Sequence, residues 1–445
     1  IDFPVKPETR PYVDAFEMLA RGGNSGELER LAKLRRRNID QFGKTGFPGR
    51  RAESWRYLDL QPISNRPMLP VVTGPLRNRL AADRISNFTT SAGGSRVVLV
   101  DGRFASDLSV VDLPDGAWLG SIIDAVAAHP DILDVVVGVP EIGDHPFNTL
   151  NAAFFSDGFV LRTAPGVVLQ KPIEIIHLVS GGVGGSIHTR SLVELGEGSK
   201  ATILETYADV HDGTGRYWRN DVAAWRLGDG AALTRTALIE ESADAVHLGE
   251  VTATLAANSK LDAFALLLGG GTVRHEANVT ITGNHAECRY NGGFVVPGRE
   301  EANIVTVIDH GAVGGTTSEL IKGVAAGRGH GAFQGKIIVR EGAQQTDAKQ
   351  TSRNLILGRR ASIDTKPELE ILAEDVKCAH GASVGDLDEA ALFYLRARGI
   401  PTDEARRLLV EGFLREPVEG VADAAIREHL LGRLSARLAR LEEWA

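Results

Sequence analysis

The 445-residue chain, 43% apolar and 24% charged, is long enough to bury roughly three quarters of its unfolded surface, so core formation is not limiting. No run approaches the ~20 apolar residues that a bilayer span needs, and a net charge of −9 argues against a nucleic-acid partner, because phosphate contacts need a basic surface. Two cysteines exclude a disulfide framework and fit a reducing compartment, which makes the cytoplasm the expected location.

Residues 1–90 read as an N-terminal helical region. Leu28, Leu31, Leu34, Ile39 and Phe42 recur near helical spacing, and Asn24 or Ser25 can cap a second helix behind Gly22-Gly23. Arg35-Arg36-Arg37 falls on that helix and reads as a solvated face. Gly43-Lys44-Thr45 ends like a phosphate-binding loop, but the upstream glycine such a loop requires is Asn38, so no ATP hydrolysis is expected.

Residues 91–385 change grammar to short β-type runs punctuated by Gly, Asn and Asp. An internal repeat lies here. Leu195-Gly196-Glu197-Gly198-Ser199, Leu227-Gly228-Asp229-Gly230-Ala231, Leu255-Ala256-Ala257-Asn258-Ser259, Ile281-Thr282-Gly283-Asn284-His285 and Leu357-Gly358-Arg359-Arg360-Ala361 each set an apolar residue before a turn that a further strand follows. The first four are spaced by 32, 28 and 26 residues. Such periods indicate stacked units, none of which buries its own apolar face alone. A β-helix or similar solenoid is the natural solution, with a stack of β-hairpins left open by periodicity. The cluster Gly181-Gly182-Val183-Gly184-Gly185 lacks dinucleotide-fingerprint spacing and reads as a loop.

Residues 386–445 return to a helical pattern. Asp386 or Asp388 can cap a helix carrying Leu392, Phe393 and Leu395, which stops at Gly399-Ile400-Pro401. Thr402 can cap the next, with Leu408, Leu409 and Phe413, and residues 421–444 suggest a third. Helices at both ends of a solenoid would cover its unpaired strand edges.

The candidate site lies where these last two regions meet. In Glu374-Asp375-Val376-Lys377-Cys378-Ala379-His380-Gly381-Ala382, strand alternation sets Glu374, Val376, Cys378 and His380 on one face. A soft thiolate beside an imidazole suits zinc, copper or an iron–sulfur species, yet a closed site needs about four ligands. Alone the pair is half a site. Cys288 lacks neighbours that would activate it, apart from Arg289, and reads as a buried structural thiol; His310 and His330 fall at turns and read as poor ligand candidates. Gly381-Ala382-Ser383-Val384-Gly385 satisfies G-x-S-x-G, but the only later histidine is His429, so it reads as a turn rather than a nucleophile elbow.

Residues 367–385 and 392–400 closely resemble the C-terminal signature of the SufD branch of the SufB/SufD family, proteins of the Suf iron–sulfur cluster assembly system. Residues 46–57, G-F-P-G-R-R-A-E-S-W-R-Y, resemble a segment typical of SufD and absent from SufB; residues 147–158 and 342–357 are similar to the family as well. The resemblance implies a mainly β fold: a right-handed parallel β-helix core flanked by N-terminal and C-terminal α-helical regions. It implies a non-enzymatic scaffold that pairs with SufB through the β-helix and docks the SufC ATPase on the C-terminal helices, with a homodimer possible when alone. His380 then becomes a ligand for iron or a nascent cluster at the SufB interface, with no cofactor stably bound by the lone chain. Cys378 assists or is structural, and Glu374 and Asp375 orient His380 or serve iron acquisition. Phe393, Tyr394, Arg396 and Arg398 become candidate SufC contacts, although the aromatic pair reads first as core packing. Ala379 replaces a small hydroxyl residue and Glu374 an Asp common in relatives, and both changes leave His380 in place.

A carbohydrate-active β-helix enzyme, a polysaccharide lyase or hydrolase, is the competing reading. Asp347 with Lys349, or Arg274 with Glu276, would carry it along a groove. Low aromatic content of 6% and no visible secretory signal weigh against it.

Overall fold

A computed structural model describes residues 5–21, 29–49, 52–71, 82–137, 145–180, 184–210 and 215–440. Its centre is a parallel β-solenoid in which successive strands alternate between two sheets, so that each coil adds one rung to both. The repeat seen in the sequence is one of its ladders. Leu195, Leu227, Leu255 and Ile281 are successive register partners, and their row continues through His310 and Val339 to Ile371. All of these but Ile371, on the terminal coil, are buried. The fifth expected repeat, Leu357, belongs to the other sheet, where its partner is Ala326. A turn follows a strand on either side of the coil, and the sequence pattern alone does not separate the two.

Each turn of the ladder needs one residue in the left-handed region, taken by Gly198, Gly230, Asn258, His285 and Gly314 in successive coils. The coils also approach closely there. A Cβ on Gly283 would stand 1.9 Å from the Ala257 nitrogen, so only glycine lets that turn nest on the one before it.

The outward faces of both sheets are clothed by helices. Helices Arg10–Arg21, Glu29–Thr45 and Pro146–Phe154 cover the first sheet, and Tyr12, Phe42, Phe47 and Phe147 close over Trp218. Leu31, Ile39 and Phe42 face inward as the spacing predicts; Asn24 and Ser25 lie outside the described residues, as do residues 181–183. The arginine run is less solvated than expected. Arg35 donates to the Ala153 and Phe155 carbonyls at 3.2 and 2.9 Å, and Arg36 pairs with Glu17, because the helix lies against its neighbours on that side too. Gly43-Lys44-Thr45 ends a helix instead of opening one, the reverse of a phosphate loop.

The C-terminal helices correct one expectation. Helices Thr402–Glu419 and Ala424–Ala439 do not lid the last coil but lie along the outer face of the second sheet, burying Phe264, Leu266, Val295 and Val324 under Val410, Leu414, Leu430 and Leu434. That face is apolar and demands cover along its length, and the helices are spent on it. Their buried stripe is Ala405, Val410, Leu414 and Val418, whereas the predicted Leu408 stays 39% exposed. Asp388 does cap helix Glu389–Ala397, accepting from Ala390 N at 2.8 Å and Ala391 N at 3.2 Å. Thr402, by contrast, is the first helical residue and makes no cap bond; Pro401 precedes it. Gly399, with φ +87°, ends the first of these helices as expected.

Candidate functional site

Strands Ser362–Ile371 and Lys377–Gly385 form the terminal coil, each at the edge of its sheet with one side unpaired. Gly381–Gly385, expected as a turn, is the second half of this last strand, since its backbone pairs in register with Thr351–Leu355. The strand puts Cys378 and His380 on the inward face. Cys378 continues the row Leu261, Cys288, Thr317, Ala348, and packs partly against the Ile337, Val339 and Ala373 cluster. Burial pushes its thiol pKa up, which favours the protonated form and a packing role. His380 is exposed at the open end.

Glu374 and Asp375 fall in the bend before the strand, which begins only at Lys377, so the expected shared face does not extend to Glu374. No hydrogen bond joins either carboxylate to His380. The Asp375 backbone pins the bend, its carbonyl accepting from Gln345 N at 2.6 Å and its N–H donating to Gln344 Oε1 at 2.9 Å. Among the described residues no three of His, Cys, Asp and Glu converge as a metal site. His380 and Cys378 therefore supply at most one edge of one, and a metal there needs donors from outside the described residues.

Behind His380 runs a polar row that the sequence reading missed. His380 is the register partner of Gln350, and Gln350 that of Glu319, all on inward faces. Gln350 is 1% exposed and donates from Nε2 to Glu319 Oε2 at 2.6 Å. Burial pushes the Glu319 carboxyl up to about 7, with that hydrogen bond opposing. Deeper inside, Glu205 accepts from Arg235 at 2.5 and 3.0 Å and meets His177 Nε2 at 3.1 Å. The signal was available in Ile203-Leu204-Glu205-Thr206-Tyr207, where a charge occupies the apolar phase of a strand.

The remaining candidates sort by exposure. Phe393 and Tyr394 are 72% and 57% exposed, so the core role weighed for the pair is wrong; helix Glu389–Ala397 buries none of its residues. Arg396 and Arg398 are exposed beside them, with the Arg398 guanidinium 5.0 Å from the Tyr394 ring. His310 is fully buried in its ladder, its Nε2 2.8 Å from Thr317 Oγ1, and His330 pairs with Asp364 at 2.9 Å. Cys288 is sealed, as expected. Arg274 and Glu276 form no open groove: the pair, at 2.6 Å, is shut beneath Trp55, whose ring lies 4.1 Å from the guanidinium.

Residues 177–413 match the family described as SUF system FeS cluster assembly, SufBD core domain, and residues 7–175 match the SufBD protein N-terminal region. The chain belongs to the SufBD family. It is 28% identical to the iron-sulfur cluster assembly protein SufD of Escherichia coli K12 over 408 residues, 90% of this chain and 92% of that one. Protein ABCI7 of Arabidopsis thaliana, described as chloroplastic, is 29% identical over 89% of this chain and 84% of its own. SufD of Bacillus subtilis is 28% identical over 69% and 71%.

Four of the five segments that resembled the SufBD family in sequence meet in space. Trp55, from the N-terminal segment, stands 5.0 Å from Phe147 at the start of the second, and Lys366 reaches back to Glu53 at 2.5 Å. The other two, residues 342–357 and 367–385, contribute neighbouring strands of the terminal coils. Through Trp55 and Glu53 the 46–57 segment thus joins the helical layer to the terminal coil. Among the described residues no helix is long and apolar enough to cross a membrane.

Proposed function

We propose that this chain is a non-enzymatic scaffold subunit of iron–sulfur cluster assembly that offers His380, at the open edge of its terminal coil, to iron or a nascent cluster. The carrying observation is the incomplete site itself: one exposed imidazole, one half-buried thiol and two unpaired strand edges at the same end. A second β-solenoid, of SufB type, would pair its own edges there and bring the missing donors, and edge pairing is the ordinary fate of such strands. A neutral imidazole is a borderline ligand suited to iron. Glu374 and Asp375, solvent-facing on the preceding bend, suit passage of iron into the site through oxygen donors. The exposed Phe393, Tyr394, Arg396 and Arg398 face is the docking surface for an ATPase of SufC type. Two free thiols fit a reducing, cytoplasmic setting. When alone, the same open edge would serve a second copy.

Anaerobic co-expression with the same organism's SufB and SufC, followed by size exclusion and iron and sulfide analysis, tests this. An intact complex that loses iron in His380→Ala supports the ligand role; failure to form a complex with the wild-type chain overturns the scaffold reading. An intact complex with unchanged iron leaves an adaptor without a metal role.

A further inference from the structure

We infer that Gln350 is the positioning residue for His380, its side-chain oxygen taking the imidazole N–H and thereby fixing which ring nitrogen is left free at the open end. The inference rests on the reading of His380 as a ligand. Gln350 and His380 are direct partners across a parallel ladder, on the same inward face and about 4.8 Å apart along the hydrogen-bonding direction. The Gln350 amide is not free to turn. With the Glu319 carboxylate ionised, Gln350 Nε2 donates to its Oε2 at 2.6 Å, one rung further in, which leaves the oxygen as the other terminal atom. That oxygen is buried and has no hydrogen-bond partner among the described residues. A buried acceptor with neither protein nor solvent partner is rare, and the nearest ladder neighbour with a hydrogen to give is His380.

The facing sheet is cut to admit this arrangement. A Cβ on Gly335 would stand 2.2 Å from Gln350 Nε2, so the glycine makes the space that holds the amide in place. Glu319, Gln350 and His380 thus form a row from sealed interior to open edge, each group oriented by the one behind it. Histidines that bind metals through one nitrogen are commonly held through the other, and loss of that partner weakens metal retention about ten- to a hundredfold. Gln350 is neither a ligand nor exposed, which separates its role from that of His380.

The test uses the full chain labelled with ¹⁵N-histidine, with His380 assigned by the signal lost in His380→Ala. Long-range ¹⁵N–¹H spectra of the wild type are expected to show His380 in one tautomer. Gln350→Leu should convert it to the averaged pattern of a free imidazole. Glu319→Gln keeps the amide anchored and should leave the tautomer unchanged. An averaged His380 ring in the wild type, or an identical ring in Gln350→Leu, overturns the inference; the first of these needs only the exposed-site variant His380→Ala, for assignment. In the co-expressed complex Gln350→Leu should lower retained iron about tenfold or more. If His380→Ala leaves iron unchanged, the ligand reading falls while the tautomer comparison still decides the role of Gln350.

Discussion

Cys288 and Cys378 stand on one inward ladder, linked through Thr317 and Ala348 as successive register partners, yet Cys288 is sealed and Cys378 sits at the open coil. Burial pushes both thiols up, and the position along the solenoid sets how far a reagent can reach them. In the folded chain an aromatic disulfide reagent should therefore titrate one thiol per molecule, absent in Cys378→Ser, with Cys288 reacting only after denaturation. A partner solenoid on the open edge should slow the Cys378 reaction. Rapid modification of both thiols in the native chain would contradict the ladder assignment.

The C-terminal helices divide by exposure into a part that holds the fold and a part that does not. Leu414 and Leu430 are buried against Phe264 and Leu266, and Leu414→Ala should cost about 2–5 kcal/mol in urea unfolding, as core truncations do. Phe393→Ala and Tyr394→Ala, at exposed positions, should change stability by no more than about 0.5 kcal/mol. Binding of the SufC-type ATPase, followed by calorimetry, should weaken in these two. Unchanged ATPase affinity in the double variant would move the docking surface elsewhere.

The solenoid was legible because each coil repeats one local demand. An apolar inward residue is followed by a turn that must place a residue in the left-handed region, and Gly or Asn answers that demand at Gly198, Gly230 and Asn258. The chain from Cys378 to His380 was legible for a similar reason, since strand alternation is local. What needed the structure was long-range placement: which sheet owns Leu357, which face the C-terminal helices cover, and that Gln350 and Glu319 line up behind His380. Their spacings of about thirty residues carry no local signal of a shared row. Phe393 and Tyr394 misled because an aromatic pair in a helix reads as core whether or not a second surface is there to cover it.

Inside the solenoid, Arg235 and Glu205 form a two-point ion pair at 2% and 3% exposure. Burial works against the Glu205 carboxylate, but Arg235 and His177 outweigh it and hold its pKa far below the ordinary range. Arg235→Met leaves that buried carboxylate with His177 and Tyr207 but no cation fixed beside it and should destabilise the chain by about 3–5 kcal/mol, whereas adding Glu205→Leu should recover most of the loss. The penalty of the single variant should shrink as pH falls, because an unpaired Glu205 takes up a proton. Thermal melting at pH 7.5 and 5.5 checks both the rescue and its direction; equal penalties at the two pH values would mean that the pair is not the source of the loss.

His188 links the helical layer to the solenoid, and its protonation should loosen that link. It lies under Phe154 and Trp218, with ring centroids 5.8 and 5.6 Å away. Asn220 Nδ2 approaches its Nδ1 at 3.2 Å, so Nδ1 accepts, and Nε2, 2.9 Å from Ser186 Oγ, carries the hydrogen. Both bonds suit the neutral ring, and burial lowers its pKa to about 3. An unfolded histidine titrates near 6.5, so between those values the unfolded chain binds a proton that the native chain refuses. Stability from this group is complete above about pH 6.5 and falls by about 1.4 kcal/mol per pH unit as pH drops towards 3. Buried His310, lowered to about 4, adds to the slope, while Glu319, raised to about 7, opposes it, and both do so equally in a His188 variant. The difference between wild type and His188→Gln therefore isolates one residue. Melting from pH 7 to pH 4.5 should show the two converging as pH falls, with Gln the less stable at pH 7 and its disadvantage lost or reversed in acid. A constant gap across that range would mean that His188 is not kept neutral by its burial.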